Sequence, residues 1–355
     1  MESTFSQYRK IYEMLEDEKS RDIYLQRLNY LLSGDCNYIR NIVTSYLPQF
    51  TPLDGRTMQD LQDLLPKGRE IVLYGAGFYG KHILSFWEKD ERFVGFCCQT
   101  KKKQEEGYLG YPVMSPEELL HRRDLTVIIS TIRAKDEIMQ ILREGNYPED
   151  QVFPLSGYQP EYDPGQYFSP DFIKCEEEEV FVDGGCLDLG SSLQMKKYCK
   201  NVKKVYALEP DPENYQNCLK AKERTNFDAA EVFPFGLGSR RETITFQATH
   251  DGSSLVCEHG NMTISVVPMD EVIPPEERIT MIKLDVEGSE LEALKGAQKI
   301  IRRDKPKLAI CIYHKHEDMT EIPLYIKQLV PEYKLYIRHH SNTEGETVLY
   351  AVMPH

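Results

Sequence analysis

Apolar positions recur every three or four residues at the start of the chain, as at Ile11, Met14 and Leu15. Because this spacing marks one face of a helix, we predict a helical N-terminal segment over residues 1–66, with Gly34 ending one of its helices. An apolar helix face needs a partner surface, which either a protein core or a dimer interface provides. The pattern therefore predicts helices and leaves open a homo-oligomer through this segment.

A strand, a glycine turn and an amphipathic helix follow in EIVLYGAGFYGKHILSFW. Gly75, Gly77 and Gly80 form the GxGxxG arrangement between a strand and a helix, the context in which dinucleotide-binding folds use it. FVGFCC and LTVIIST predict further strands that alternate with helices. We therefore expect a small Rossmann-like α/β domain over residues 67–157.

The ligand of this first sheet unit stays open, because one part of the dinucleotide pattern is missing. Dinucleotide folds usually place Asp or Glu about 20 residues after the glycines to hold the ribose hydroxyls. Here the second strand ends in Cys97, Cys98 and Gln99. The turn is thus either a nucleotide or nucleotide-sugar site or a purely structural turn.

A second alternating pattern begins with VFVDGGCLDLG, a strand that ends at Asp183 and a turn at Gly184 and Gly185. The next strand, KKVYALE, ends in Glu209, and a helix capped by Asp211 follows it. The two glycines permit close approach of the backbone, and a carboxylate at the second strand end can accept both ribose hydroxyls. These two features together predict a site for an adenosine-containing cofactor.

The loop DGGCLDLG favours S-adenosylmethionine over NAD. It departs from GxGxxG, which suits a cofactor without a pyrophosphate, and it carries Asp183 and Asp188. The ammonium and sulfonium groups of S-adenosylmethionine are cationic, so nearby acids attract it where they would repel a dinucleotide. Either aspartate could instead serve only to form the turn.

Two acids lie at a third strand end, in MIKLDVEGSELEALKGA. Met281 to Leu284 predict a buried strand, and Asp285 and Glu287 stand between it and the next helix. Open α/β sheets bind ligands outside the carboxyl ends of their strands. We therefore expect both acids to face a ligand, although Glu287 and Glu290 could merely stabilise a helix N-terminus.

The next strand, KLAICIYHKHED, ends in His314 and His316. His314 would lie close to Asp285, and a histidine with a pKa of about 6.5 suits a general base that deprotonates a hydroxyl. His314 could alternatively only bond the backbone. Asp285, Glu287, His314 and His316 also resemble a mixed ligand set for Mg²⁺, Mn²⁺ or Zn²⁺. Because no spacing fixes their geometry, we assign no metal site.

The remaining segments complete a sheet. AEVFPFGLGS predicts a third strand that leaves Phe235 and Gly236 near the adenine face, and RETITFQATHDGSSL with MTISVVPMDEVI predicts an inserted β-hairpin. YKLYIRHH and ETVLYAVMPH predict a closing antiparallel hairpin whose last strand is the sheet edge. We expect His339 and His340 at the surface, with a place in a substrate pocket as the alternative.

The motifs VDGGCLDLG, ALEPDPENY and MIKLDVEGSELEALKGA, with GSS at 252–254 and the tail from KLAICIYHKHED, resemble the FkbM family of S-adenosylmethionine-dependent methyltransferases. The resemblance covers residues 165–355 and implies a seven-stranded class I methyltransferase sheet that O-methylates a sugar or polyketide hydroxyl. It also implies site roles. The methionine part of the cofactor would meet Asp183 and Gly185, the ribose would meet Glu209, and the methyl-transfer centre would lie near Asp285 and Glu287.

One departure from the family pattern is Leu189, which stands where the family commonly has a small residue. The first sheet unit resembles Rossmann-like domains associated with nucleotide sugars, on a weaker match.

Composition narrows the class of protein further. A length of 355 residues suggests about two domains. A net charge of −14 and a pI near 5.2 argue against nucleic-acid and anionic-membrane surfaces. Nine scattered cysteines, without metal-ligand spacing, predict free thiols in a reducing compartment rather than a disulfide frame. No apolar run approaches 18 residues, so we expect a cytoplasmic protein.

The sequence thus predicts an α/β protein. A class I methyltransferase Rossmann-like sheet over residues 165–355 follows a helical N-terminus and a second, smaller Rossmann-like α/β domain. We expect S-adenosylmethionine-dependent O-methylation of a saccharide or other small molecule. Two alternatives remain, namely an NAD- or nucleotide-sugar-dependent enzyme that works through GAGFYG and a non-catalytic assembly protein that keeps the fold.

Overall fold

A computed structural model describes residues 4–50, 65–77, 80–81, 84, 90–131, 134–154, 162–247, 255–256 and 262–354. The chain divides into two compact units. Residues 51–160 form the small unit, and residues 1–50 with 161–355 form the large unit. This division differs from the predicted one, because the helical N-terminus belongs to the large unit. The GSS at 252–254 lies outside the described residues.

Three helices make up the N-terminal segment of the large unit: α1 (Thr4–Met14), α2 (Glu18–Ser33) and α3 (Asn37–Tyr46). Helix α2 starts where the Asp17 carboxylate accepts a hydrogen bond from the Ser20 amide at 2.7 Å. It ends, as predicted, at Gly34, whose φ of 69° is left-handed.

The apolar faces of these helices are buried within their own chain. Ile11, Leu15, Ile23 and Ile42 join one hydrophobic cluster with strand residues of the large sheet, such as Leu335. This burial supplies the partner surface that the amphipathic pattern requires, and it explains why the segment belongs to the large unit.

The small unit contains strands β1 (Ile71–Tyr74), β2 (Phe93–Cys97), β3 (Val113–Met114), β4 (Thr126–Ile129) and β5 (Val152–Pro154), with helices α4 (Lys101–Glu106), α5 (Pro116–His121) and α6 (Lys135–Glu144). The five strands are parallel, in the order β3-β2-β1-β4-β5. All four residues of β1 and of β4 are buried, as continuous apolar strands covered on both faces should be.

The rest of the large unit contains strands β6 (Glu179–Gly184), β7 (Val202–Leu208), β8 (Ala230–Phe233), β9 (Gly236–Leu237), β10 (Glu242–Gln247), β11 (Leu255–Val256), β12 (Met262–Val267), β13 (Met281–Leu284), β14 (Lys307–Cys311), β15 (Lys334–His339) and β16 (Thr347–Val352). Its helices are α7 (Gly190–Tyr198), α8 (Pro212–Thr225), α9 (Met269–Val272), α10 (Glu290–Lys295), α11 (Gln298–Asp304) and α12 (Asp318–Leu329).

Seven of these strands form the main sheet, in the order β15-β16-β14-β13-β6-β7-β8. Strand β16 pairs antiparallel with both of its neighbours, and the other pairs are parallel. The predicted α/β class with parallel sheets is confirmed. The strand order reverses between β6 and β13, and ligands of open α/β sheets bind at such a switch point.

A second sheet of four strands, in the order β11-β10-β12-β9, lies in the segment where a hairpin was predicted. Strands β10 and β12 form that antiparallel hairpin, and the short strands β9 and β11 extend it.

Two expectations about the end of the chain were wrong. Strand β16 lies inside the sheet rather than at its edge, since all six of its residues are buried whereas β15 alternates. His339 and His340 are buried rather than exposed. Their ring nitrogens lie 2.8 Å from Thr347 Oγ1 and 2.7 Å from Tyr350 Oη, partners that the fold brings from β16.

The expectation of free thiols was wrong for one pair, because Cys175 and Cys199 form a disulfide across 24 residues. Cys175 lies in the segment before β6, and Cys199 ends helix α7. Sequence spacing could not reveal this contact, which depends on how α7 returns along the sheet. In the described part of the chain, no helix combines the length and apolar character needed to span a membrane.

Candidate active site

A cavity of about 400 Å³ opens at the carboxyl ends of β6, β7 and β13 in the large unit. This volume falls within the range of about 300–1,000 Å³ that is usual for small-molecule sites. Six residues predicted for the site line it, namely Gly185, Glu209, Phe235, Gly236, Asp285 and Glu287. The structure thus gathers residues from three strand ends, of which the first, at Gly184, and the last, at Leu284, are 100 residues apart in the chain.

Gly185 is required by the backbone of the neighbouring strand end. Its φ is +73°, and a Cβ placed there would lie 1.9 Å from the backbone oxygen of Asp285. Gly184 is also confined, since its Cβ would come within 2.8 Å of Leu284 and Leu237 side-chain carbons. The glycines therefore allow two strand ends to meet, which is the close approach that the sequence predicted, here made by protein backbone.

Asp183 lies behind the cavity and holds the glycine turn instead of lining the site. Its Oδ2 accepts hydrogen bonds of 2.6 Å from the hydroxyls of Ser191 and Ser192, at the start of α7. Its Oδ1 lies 3.2 Å from the ammonium of Lys283, and both side chains are buried. The predicted contact of Asp183 with the cofactor is therefore not seen in the cavity lining.

Lys283 is a charged residue that the sequence reasoning missed. It stands opposite Asp183 on the paired strand, and its ammonium donates to the backbone oxygens of Gly184 and Gly185 at 3.1 and 2.6 Å. Burial lowers the pKa of Lys283, but the charges of Asp183 and Asp285 outweigh it and raise the pKa above its usual value. A charged residue inside the buried strand MIKL is the signal that could have revealed it.

Glu209 projects from the end of β7 into the cavity while remaining only 6% exposed. One of its oxygens accepts from the Leu187 amide and the other from the Asp211 amide, both at 2.9 Å. Burial raises the pKa of Glu209 to about 7, against the lowering effect of these two amides. Each oxygen keeps a lone pair for a further donor, as recognition of a ribose diol requires.

His314 lies outside the described lining, behind Asp285 and Glu287 and surrounded by three carboxylates. Its Nδ1 is 2.9 Å from Glu290 Oε1, and its Nε2 is 3.5 Å from Asp285 Oδ1 and 3.4 Å from Glu287 Oε2. Burial lowers the pKa of His314, but Glu290 and then the charges of Asp285 and Glu287 raise it to about 9. A protonated imidazole does not suit the general base that the sequence suggested.

Burial also perturbs the carboxyl groups around this histidine. It raises the pKa of Glu287 to about 8, partly offset by His314, and the pKa of Asp318 to about 7. The pKa of Asp285 shifts downward instead, because the charges of Lys283 and His314 outweigh its burial. Such a concentration of shifted acids beside a cavity is typical of functional sites.

Two tyrosines orient Asp285. Tyr167 donates to its Oδ2 at 2.9 Å, and Tyr313 donates to its Oδ1 at 3.2 Å. Tyr167 comes from the segment before β6, 118 residues away, so no local pattern indicated it. The aspartate is therefore held in one orientation at the cavity wall.

The turn after β13 has an unusual backbone. Glu287 has a φ of 53° and Gly288 a φ of 87°, so two consecutive residues are left-handed. A left-handed residue that is not glycine costs about 1–2 kcal/mol, and such strain clusters at functional sites. Leu189 is left-handed as well, with a φ of 66°, and its side chain is fully buried in a hydrophobic cluster.

The other predicted residues lie apart from the cavity lining. His316 is exposed, and Gly184 and Asp183 lie beneath the lining. In the small unit, Gly75 follows β1, and Gly80 and Lys81 are helical.

Part of the large unit is similar to a known family of methyltransferases. Residues 188–337 match the model of the Methyltransferase FkbM domain, so the inferred family resemblance is confirmed for that range. Hexuronic acid methyltransferase AglP of Haloferax volcanii is 31% identical over 134 residues, which are 36% of this chain and 55% of that protein. The chain thus spans about half the length of that curated relative.

Two solved structures are also similar to this chain. Methyltransferase FkbM from Methylobacillus flagellatus KT is 21% identical, covers 89% of this chain and 98% of its own, and has a TM-score of 0.48. A Streptococcus mutans protein solved in complex with SAH is 14% identical, covers 52% and 93%, and has a TM-score of 0.34. The range that matches the FkbM domain model, residues 188–337, contains Glu209, Asp285 and His314. This domain match supports a methyltransferase.

Proposed function

We propose that the large unit transfers a methyl group from S-adenosylmethionine to a hydroxyl oxygen of a saccharide. The observation that carries this proposal is the position of Glu209 and Asp285 in one cavity at the switch point of the sheet. A ribose-binding acid and a reactive acid at the ends of the two strands that flank β6 are the two parts that such a transfer needs.

The residues present fit this cofactor. The described lining contains a single cation, Lys315, and five acidic side chains, those of Glu209, Glu242, Asp285, Glu287 and Glu292. Burial raises the pKa of Glu287 to about 8, so the other four acids carry most of the negative charge. Such a lining attracts a ligand that carries ammonium and sulfonium charges. Glu209 would accept the ribose hydroxyls, and Phe235 with Leu187 would provide the apolar surface for the adenine.

The bound cofactor supplies an electrophilic methyl group, so the chain itself has to align the acceptor and exclude water. Asp285, oriented by Tyr167 and Tyr313, would hold the acceptor hydroxyl near the glycine turn and would accept its proton as the oxygen gains the methyl group. Ile244, Ile264 and Val266 of the second sheet form an apolar wall of the cavity that limits water. Most of the rate enhancement would then come from alignment, as expected for an in-line displacement.

A saccharide acceptor is supported by the similarity to the hexuronic acid methyltransferase. Lys315, the cation of the described lining, would meet the carboxylate of a uronic acid. The acceptor class therefore includes sugars that carry an acidic group.

The test is the Asp285→Asn variant, assayed by transfer of a labelled methyl group to oligosaccharides with and without uronic acids. We expect turnover to fall about 100-fold or more, in the range of a lost catalytic contact, while S-adenosylhomocysteine binding changes less than twofold. Glu231→Gln, an exposed carboxylate paired with Lys204 on β7, is the matched control. Unchanged turnover with unchanged cofactor binding in Asp285→Asn would contradict the proposed role.

A further inference from the structure

We propose that Asp285, Glu290 and His314 bind a divalent first-row metal cation of the Mn²⁺ type in the large unit. Each residue offers one ligand atom, and the three atoms lie within 4.8 Å of one another. Asp285 follows β13, Glu290 begins α10 and His314 follows β14. The three positions are therefore fixed by neighbouring parts of one sheet layer, as a preformed site requires.

Unsatisfied buried atoms point to a missing partner in this group. Glu290 is fully buried, and its Oε2 has no hydrogen-bond partner among the described residues. The His314 side chain is 10% exposed, and neither ring nitrogen makes a hydrogen bond of acceptable geometry in the described part, although Nδ1 is 2.9 Å from Glu290 Oε1. Buried polar atoms are nearly always satisfied, so each such exception needs a partner such as an ion.

The charge around His314 favours a cation. Three carboxylates face one imidazole, because Glu287 Oε2 also lies 3.4 Å from its Nε2. With a neutral His314, the charges of Asp285 and Glu290 would have no positive partner within this group, and buried charges are costly unless they are paired. A divalent ion would neutralise two of these charges, and His314 would then serve as a neutral ligand.

The proposed ligands are oriented from behind, as metal ligands usually are. Asp285 accepts from the hydroxyls of Tyr167 and Tyr313, and Glu290 Oε1 accepts from the Val286 amide at 2.9 Å. Such outer contacts fix the direction of ligand atoms and tune their basicity.

The ligand set selects the class of ion. Two carboxylates and one imidazole suit Mn²⁺ better than Mg²⁺, which prefers oxygen ligands alone. His316, which the sequence analysis grouped with these acids, is exposed and does not belong to the set.

One other group of described residues has metal-ligand types close together, namely Cys175, Glu179 and Cys199, but its two sulfurs are joined in a disulfide. Asp285 and Glu287 line the cavity, so the proposed ion borders it.

The experiment is a titration of chelator-treated full-length protein with MnCl₂, followed by calorimetry and by loss of the free Mn²⁺ electron paramagnetic resonance signal. We expect one Mn²⁺ per chain, and at least tenfold weaker binding in Glu290→Gln and His314→Gln, each checked for folding by circular dichroism. Glu179→Gln is the matched control, since it removes a fully buried carboxylate from the other group. Its Mn²⁺ affinity should equal that of the wild type.

A second measurement on the wild type does not depend on the variants. Pulsed resonance of bound Mn²⁺ should show coupling to an imidazole nitrogen. The proposal is overturned if the wild type binds no Mn²⁺, if nitrogen coupling is absent, or if folded Glu290→Gln and His314→Gln bind as tightly as the wild type. Loss of binding in Glu179→Gln that is folded by circular dichroism would place the ion elsewhere. Because these readouts measure binding alone, they are independent of the proposed methyl transfer.

Discussion

The two units each place a glycine turn after their first strand, and the two turns are built alike. The amide of Gly75 donates to the Cys97 oxygen at 2.9 Å, and the amide of Gly185 donates to the Leu208 oxygen at 3.0 Å. Each turn is thus anchored to the end of the second strand in its own sheet.

The two turns differ in the residue that follows this second strand. In the large unit it is Glu209, a buried carboxylate that faces the cavity. In the small unit the strand is followed by Cys98 and the exposed Gln99, whose amide bonds Glu137 at 3.0 Å. The two glycine turns are thus alike in their backbone anchor, and they differ at the next strand end, where the proposed cofactor site of the large unit has a carboxylate.

The largest expected effect on stability comes from replacing the turn glycine Gly185 of the large unit by alanine. In Gly185→Ala, the new Cβ would meet the Asp285 backbone oxygen, and φ is left-handed. We expect a loss of about 4 kcal/mol or more in the free energy of unfolding, or failure to fold, measured by denaturant titration. Gly77→Ala in the small unit, where a Cβ meets nothing within 4 Å, is the control. A stable, active Gly185→Ala protein would contradict the close packing described here.

The comparison also shows which parts of the site a sequence reveals. Glu209 and Asp285 were predictable because each follows a short apolar strand, and parallel strands bring their ends to one edge. Lys283 was not, because its partner Asp183 is recognised only once the strands are paired. Tyr167 could not be predicted for a related reason, since it lies 118 residues from Asp285 in the sequence.

The same reasoning applies to the fold. The apolar stripes of α1 to α3 predicted helices but not the surface that covers them, which the main sheet provides. The strand β16 could be predicted as a hairpin partner, whereas its position inside the sheet follows from pairing with β14. Local sequence patterns therefore predicted the helices and strands, whereas the pairing and packing of these elements depend on long-range contacts.

The next largest effect on stability concerns the Lys283 ammonium, which bonds the glycine turn of the large unit. Lys283→Met would remove the donor to Gly184 and Gly185 and leave Asp183 buried without its ion pair. Removing one partner of a buried pair costs about 3 kcal/mol or more, which we expect in denaturant titrations. The double variant Lys283→Met with Asp183→Asn should recover part of that loss. Equal stability of Lys283→Met and wild type would show that the ion pair does not hold the turn.

The smallest expected effect is on the free energy of ligand binding at Glu209, the residue by which the two glycine turns differ. The pKa of Glu209 is raised to about 7, mainly by burial, so its carboxylate is lost as the pH falls through that value. If the ionised form binds the ribose, affinity for S-adenosylhomocysteine should fall about tenfold between pH 8 and pH 6. Glu209→Gln should lack this pH dependence.

The decisive measurement is therefore a calorimetric titration with S-adenosylhomocysteine at pH 8, for the wild type, Glu209→Gln and the control Glu231→Gln, with NADH as the comparison ligand. We predict binding to the wild type and to the control, and at least tenfold weaker binding to Glu209→Gln, equivalent to about 1.4 kcal/mol. Equal affinities for all three proteins, or binding of NADH alone, would contradict the assignment of the cofactor site to the large unit.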